Sequence, residues 1–360
     1  MQRLVNMHFR LSHRKKAPEN MIINAILLTL AIAIFIIVFP MIKIAHTPSE
    51  MKDVPHPDSL SLTHQLYRHV EVLSSEIGSR SLNEIDKIDR ARNYIETCLL
   101  EGGLPYVRQD YQYYNKKTYS NIIVTRPGGT KPAETIVIGA HYDTISTTPG
   151  ADDNASAVAV LLEMCLALKD YLPDKTLKLV FFTLEEPPAF DTNKMGSYVF
   201  AEDAKKRGES IYAMISLEML GYYSNRKKGQ QFPLPFMNMF YPTTPDFILI
   251  VGDSASKYIV ELTGDNIRQA SDVQVETLTV PRFFPGITLS DNSSFWKMGY
   301  NAIMITDTGF YRNPNYHSPK DTIGTLDFHK MTSLCSGLVE TIKVLCKSEN
   351  YSGDDHGHDL

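Results

Sequence analysis

Residues 177–186 read LKLVFFTLEE. The stretch from Leu177 to Leu184 is largely apolar at odd and even positions alike, as in a strand covered on both faces by helices. It ends on two adjacent acids, Glu185 and Glu186. Reading outward, further strands are predicted at 107–114, 120–125, 135–140, 211–217, 247–251, 273–278 and 302–306. Helical periods fall at 60–75, 83–101, 155–171, 196–206, 254–269, 293–298 and 326–347. Alternation of this kind predicts an α/β class fold: a mixed, mostly parallel central sheet flanked by helices. In open sheets of that type ligands bind beyond the carboxyl ends of the strands, which is where Glu185 and Glu186 fall.

The chain has 360 residues and a formal net charge of −5. Residues 1–20 hold five Lys/Arg and one Glu, so the remainder carries 31 Lys/Arg against 40 Asp/Glu, a net −9. An acidic body argues against nucleic acid as a partner. Residues 21–42 contain no charge before Lys43 and are long enough to cross a bilayer as a transmembrane helix. The apolar stretch outruns a signal peptide, and KIAHTPSE after it has no small-x-small cleavage site. Basic residues precede it, so the positive-inside rule places 1–20 in the cytoplasm and the body outside, as a single-pass membrane protein (periplasmic in a bacterium). The expected division is a basic tail (1–20), a membrane helix (21–42), a stalk (43–59), one domain (60–348) and a polar disordered tail (349–360). Four cysteines show no zinc-ribbon spacing, and a Cys98–Cys165 bridge stays open at this stage.

Five residues of metal-ligand type follow apolar strands or lie in the loops after them. They are His141 in VIGAHYDT, Asp152 in GADDNASA, Glu186, Glu218 in MISLEML and His317 in NPNYHSPKDT. Imidazole and carboxylate oxygen suit zinc, and a carboxylate shared between two cations explains the acids at 152–153 better than helix capping alone. Asp143, two residues from His141 on an extended chain, points the same way and is suited to fix its tautomer. Glu185 is left over, free to act as a base, and Tyr316 has a hydroxyl for a developing oxyanion. The set predicts hydrolysis by a metal-activated water. A long segment, 221–245, begins three residues after Glu218 and carries six aromatics from Tyr222 to Tyr241, so it is expected to border the substrate cleft.

The blocks HYDT, GADDNASA, LEEPPAF with MGS, LEMLGYY, SDNSSFW and ITDTGFYRNPNYHSPKDT together resemble the di-zinc exopeptidases of peptidase family M28, clan MH, over residues 60–347. The resemblance implies a phosphorylase/hydrolase-like fold, a metallopeptidase of aminopeptidase type acting on peptides with a free N-terminus, and two Zn2+. It implies that Asp152 bridges the metals, that His141 and Glu218 hold one and Glu186 and His317 the other, that Glu185 is the general base, and that Tyr316 steadies the gem-diolate. A cis bond after the bridging acid, at Asp152–Asp153, is implied as well. Ser290-Asp291-Asn292 departs from the family's Ser-Asp-His, and the Pro187-Pro188 loop resembles a bacterial subset. Two rival readings share the fold. A glutaminyl cyclase would be told apart by pyroglutamate formation, and a non-catalytic ectodomain would have lost ligands or the base, all of which this chain keeps.

Overall fold

The computed structural model describes residues 59–347. The expected tail, membrane helix and stalk, apart from Ser59, lie outside the described residues, as does the C-terminal tail. Among the described residues no helix is long and apolar enough to cross a membrane.

Eight strands form one sheet: β1 (Tyr106–Gln112), β2 (Thr118–Arg126), β3 (Lys131–His141), β4 (Lys175–Phe182), β5 (Ser210–Glu218), β6 (Phe247–Gly252), β7 (Gln274–Thr279) and β8 (Ala302–Thr306). Their order is β1-β2-β4-β3-β5-β8-β6-β7. The four central strands run parallel. The β1–β2 hairpin is antiparallel to β4 at one edge, and the parallel β6–β7 pair is antiparallel to β8 at the other. The sheet is therefore mixed, with a parallel centre. Register brings the ends of the central strands level: His141 lies opposite Phe182, and Glu218 opposite Thr306.

Helices cover both faces. On one side α1 (Ser59–Val70), α3 (Ala157–Ala167), α5 (Lys257–Ala270) and α7 (Phe328–Leu345) pack on one another, with α2 (Ile85–Glu101) against α3. Leu66, Val70, Leu161, Leu334 and Leu338 fill that layer and are fully buried. On the other side α4 (Gly196–Lys206) packs on α6 (Asn292–Lys297), and Phe182, Phe200 and Phe295 meet with ring centroids 5.8–6.2 Å apart. A buried polar link ties three helices: His69 lies 2.7 Å from the Tyr94 hydroxyl and 2.9 Å from Glu163 Oε1. All four cysteines are free thiols. The helix expected from residue 155 becomes regular only at Ala157, after a kink at Asp153 and Asn154, whose backbone angles are not helical.

Gly196 opens α4 under the end of β4. Its N–H bonds to the Thr183 carbonyl, 2.8 Å away, and its carbonyl accepts from Asn121. A Cβ there would sit 2.4 Å from the Thr183 oxygen, so even alanine forces the backbone apart. Gly196→Ala should therefore destabilise the fold by about 1–3 kcal/mol; an unchanged urea midpoint would contradict the close approach.

Candidate metal centre

The level strand ends deliver the site. His141 is the last residue of β3 and is 1% exposed; Glu218 ends β5 and is half-buried, its side chain 12% exposed. Glu185 and Glu186 follow β4 after Leu184, whose φ of +58° turns the chain out of the strand. Both of their amides bond to the Asp143 carboxylate, at 3.0 and 3.1 Å. That carboxylate thus orients the acid pair. For His141 Nδ1 the nearer partner is the Asp143 carbonyl, at 3.3 Å, with the carboxylate at 3.6 Å. Asp143 is a positioning residue rather than one that faces the reacting side.

The structure corrects the choice of shared acid. Asp152 turns away: its Oδ1 accepts from the Gly221 amide at 3.0 Å and its Oδ2 from Asn313 at 2.6 Å. Asp153 faces the centre instead. Its Oδ1 lies 3.5 Å from His141 Nε2 and its Oδ2 3.1 Å from His317 Nε2. The cis peptide bond is likewise one place later than expected, at Asp153–Asn154. Two acids in succession carry no local signal of which one faces inward. Partners distant in sequence decide it, since Gly221 and Asn313 saturate Asp152 and leave Asp153 for the imidazoles.

Two groups of donor atoms result. His141, Asp153 and Glu218 form one; Asp153, Glu186 and His317 form the other; within each the atoms lie within 4.8 Å of one another. His317 Nε2 is 3.3 Å from Glu186 Oε2, and His141 Nε2 is 3.4 Å from Glu218 Oε2. Yet neither Nε2 forms a hydrogen bond, and Glu186 Oε1 has no partner either. Buried polar atoms left this way are costly. Imidazole lone pairs and carboxylate oxygens converging without a shared proton fit a cation of zinc type in each group.

The crowded acids favour positive charge at this edge. Burial opposes charge on His141, but Glu185 and Glu218 hold its pKa well above the ordinary value. His317, likewise opposed by burial, is raised to about 10 by Asp153 and Glu186. Burial, then the charge of Asp153, pushes Glu186 up to about 8. Glu185 is raised well above the usual range by burial, an effect His141 opposes and Glu186 and Glu218 reinforce. It stands 3.8 Å from His141 Nε2 and belongs to neither donor group. Tyr316 stacks on the His317 ring, centroids 3.7 Å apart.

Sequence reasoning also missed Ser290, whose hydroxyl donates to Glu218 Oε2 at 2.6 Å while itself meeting Ser216 at 3.0 Å. The departure at 290–292 had marked the region without assigning that bond. Beside the centre lies an apolar cavity that reaches Glu218 and Tyr316. Phe232, Met237 and Tyr241 from the 221–245 segment line it, opposite Leu249 and Val251 of β6. The segment borders this cavity, although Tyr222, Tyr223, Phe236 and Phe240 are not among the lining residues.

A parallel-centred α/β sheet with a shared carboxylate between two histidines at its carboxyl edge defines a metallohydrolase. The sequence model of Peptidase family M28 matches residues 121–341, and the chain belongs to that family. It is 35% identical over 316 residues to the uncharacterized protein YfbL of Escherichia coli, covering 86% of this chain and 95% of that one. A probable leucine aminopeptidase of Arthroderma otae is 25% identical over 237 residues, 61% of this chain and 55% of the relative, so the chain spans about half that protein's length. A zinc aminopeptidase from Bacillus subtilis shares the fold, with a TM-score of 0.62 at 14% identity over 81% of this chain and 96% of that structure.

Replacing the two adjacent acids separates their roles. Asp153→Ala should lower zinc affinity by at least ~10-fold, whereas Asp152→Asn should keep it near wild type. Metal analysis with chelator competition reads both; the reverse order would return the shared position to Asp152.

Proposed function

We propose that this chain is a membrane-anchored, two-zinc aminopeptidase that removes N-terminal residues from peptides. The observation that carries the reading is Asp153: its two oxygens face the Nε2 atoms of two imidazoles, both inaccessible and without a hydrogen bond, with Glu185 alongside and in neither donor group. His141 and Glu218 would hold one ion, Glu186 and His317 the other, with Asp153 between. Metal ions bound there acidify water and polarise a scissile carbonyl.

The chain's own groups supply the rest. Glu185, 3.8 Å from His141 Nε2 and in neither donor group, takes a proton from the attacking water and passes one to the leaving amine. Tyr316, whose ring stacks on His317, would donate its hydroxyl to the oxyanion that develops on the carbonyl. The cavity takes the side chain of the first residue, and its Phe232, Met237, Tyr241 and Leu249 favour an apolar one. The substrate's free amino group would be held by one of the two ions or by an acidic neighbour, which restricts attack to chain ends. The anchor rests on the uncharged span 21–42 and the basic residues before it, with the catalytic body exported.

The test is a panel of aminoacyl fluorogenic substrates with and without chelator and added zinc. Glu185→Gln should keep its zinc and lose at least ~10²-fold in kcat. Equal activity in that variant removes Glu185 as the base. A wild type that converts Gln-initiated peptides to pyroglutamate without hydrolysing any substrate would assign a cyclase. A reporter fused after residue 60 that works only in the cytoplasm would overturn the orientation.

A further inference from the structure

Arg80 is the largest fully buried side chain, at 0% exposure, and it lies in no strand or helix. Its guanidinium reaches five backbone carbonyls. Nε bonds to Tyr142 at 2.9 Å; Nη1 to Leu73, Gly78 and Pro149 at 2.8, 2.9 and 2.8 Å; Nη2 to Gly150 at 3.1 Å. Its own backbone pairs with Thr144, the amide at 2.9 Å from the hydroxyl and the carbonyl at 3.3 Å from the amide. One cation thus joins the end of the first helical segment to both ends of the loop that runs from His141 to Asp153. Tyr142 sits between His141 and Asp143, and Gly150 precedes Asp153 by three residues.

The same loop is held from its other side by an anion. Asp321 Oδ1 accepts from the Asp152 amide at 2.9 Å and Oδ2 from the Asp153 amide at 3.1 Å. The Asp321 carbonyl accepts from Ala151 at 3.3 Å. Residues 149–153 therefore run with their first carbonyls on a buried guanidinium and their next amides on a buried aspartate. The arrangement admits only glycine at 150. Its φ is +62°, and a Cβ would lie 2.4 Å from the Asp153 carbonyl oxygen and 2.9 Å from Arg80 Nη2. Such a bond set is far more than a loop needs to close. Its effect is to fix the backbone of the one residue whose carboxylate must serve both donor groups.

We propose that Arg80 and Asp321 form a positioning clamp that sets the carboxylate of Asp153 for both metal ions. The proposal rests on the metal reading above but not on peptide hydrolysis. Positioning groups around a metal site are worth ~10–100-fold in affinity.

The test uses the full chain with four variants and two readouts, zinc affinity by chelator competition and the visible absorption of the cobalt(II)-loaded protein. Arg80→Met should fold, lose at least ~10-fold in zinc affinity and shift the cobalt spectrum; Arg80→Lys, which keeps the charge and some of the bonds, should fall between it and wild type. Glu163→Gln, which weakens the distant His69 link, should lower the unfolding midpoint and leave the cobalt spectrum unchanged. If Arg80→Met does not fold, Asp321→Asn decides, because it alters one of the two amide contacts without adding bulk. Wild-type affinity and spectrum in Arg80→Met, or in Asp321→Asn where Arg80→Met fails to fold, overturn the clamp. Wild-type protein that binds neither zinc nor cobalt would overturn the metal reading and the clamp together.

Discussion

Burying like charge is the constraint on which this molecule is built. Asp143, Asp153, Glu185 and Glu186 are all nearly inaccessible at one sheet edge, and Glu218 is only slightly more open. Carboxylates at such depth are tolerated only with cations or donors beside them. The donors divide the group. Asp143 receives two backbone amides and is settled by them. Asp153 receives no side-chain donor beyond the two imidazoles facing it, and Glu186 keeps one oxygen with no partner. Of these acids, Asp153 and Glu186 converge with His141 and His317, so their charge is aimed at a candidate metal site.

The parallel centre of the sheet makes that convergence possible. Parallel strands end at the same edge, and the register of β3 against β4 and of β5 against β8 sets the ends of all four level. Ligands more than a hundred residues apart in sequence then need only short excursions to meet. The antiparallel flanks serve other ends. The β6–β7 pair provides the apolar floor of the cavity, where Leu249 and Val251 stand on one face by strand alternation. A polar, charge-dense half and an apolar half thus adjoin at Glu218 and Tyr316.

Much of this was legible in the sequence. Apolar runs such as 177–184 announced strands buried on both faces, and residue type with position after those runs selected His141, Glu186, Glu218 and His317. What stayed illegible depends on contacts between distant segments. The pair Asp152-Asp153 reads identically from either end, and only the bonds from Gly221 and Asn313 distinguish them. The run 177–184 also reads as strand to its end, whereas the strand stops at Phe182 and the chain turns at Leu184 before Glu185 and Glu186. Arg80 carries no motif at all. Its importance comes from carbonyls contributed by four separate stretches of chain.

Those turns show how the site is held against the preferences of the backbone. Among the described residues eight side-chain-bearing positions have positive φ, and four adjoin or carry the site: Leu184 before Glu185, Met219 after Glu218, Thr308 beside the cavity, and His317 itself. Each of these costs of order 1 kcal/mol or more outside glycine. A strand continued past Phe182 in its own plane would send Glu185 past the edge instead of across it, so the bend at Leu184 is what aims that carboxylate. The strain has to be offset by packing that leaves the bent segments no alternative. The fully buried Met195, Leu217 and Leu220 around those turns, and the Asp307 amide bonded to the Met219 carbonyl at 2.8 Å, are such packing. Relieving these angles by substitution would favour a more relaxed backbone at the expense of the ligand geometry, the usual opposition between stability and function at a preorganised site.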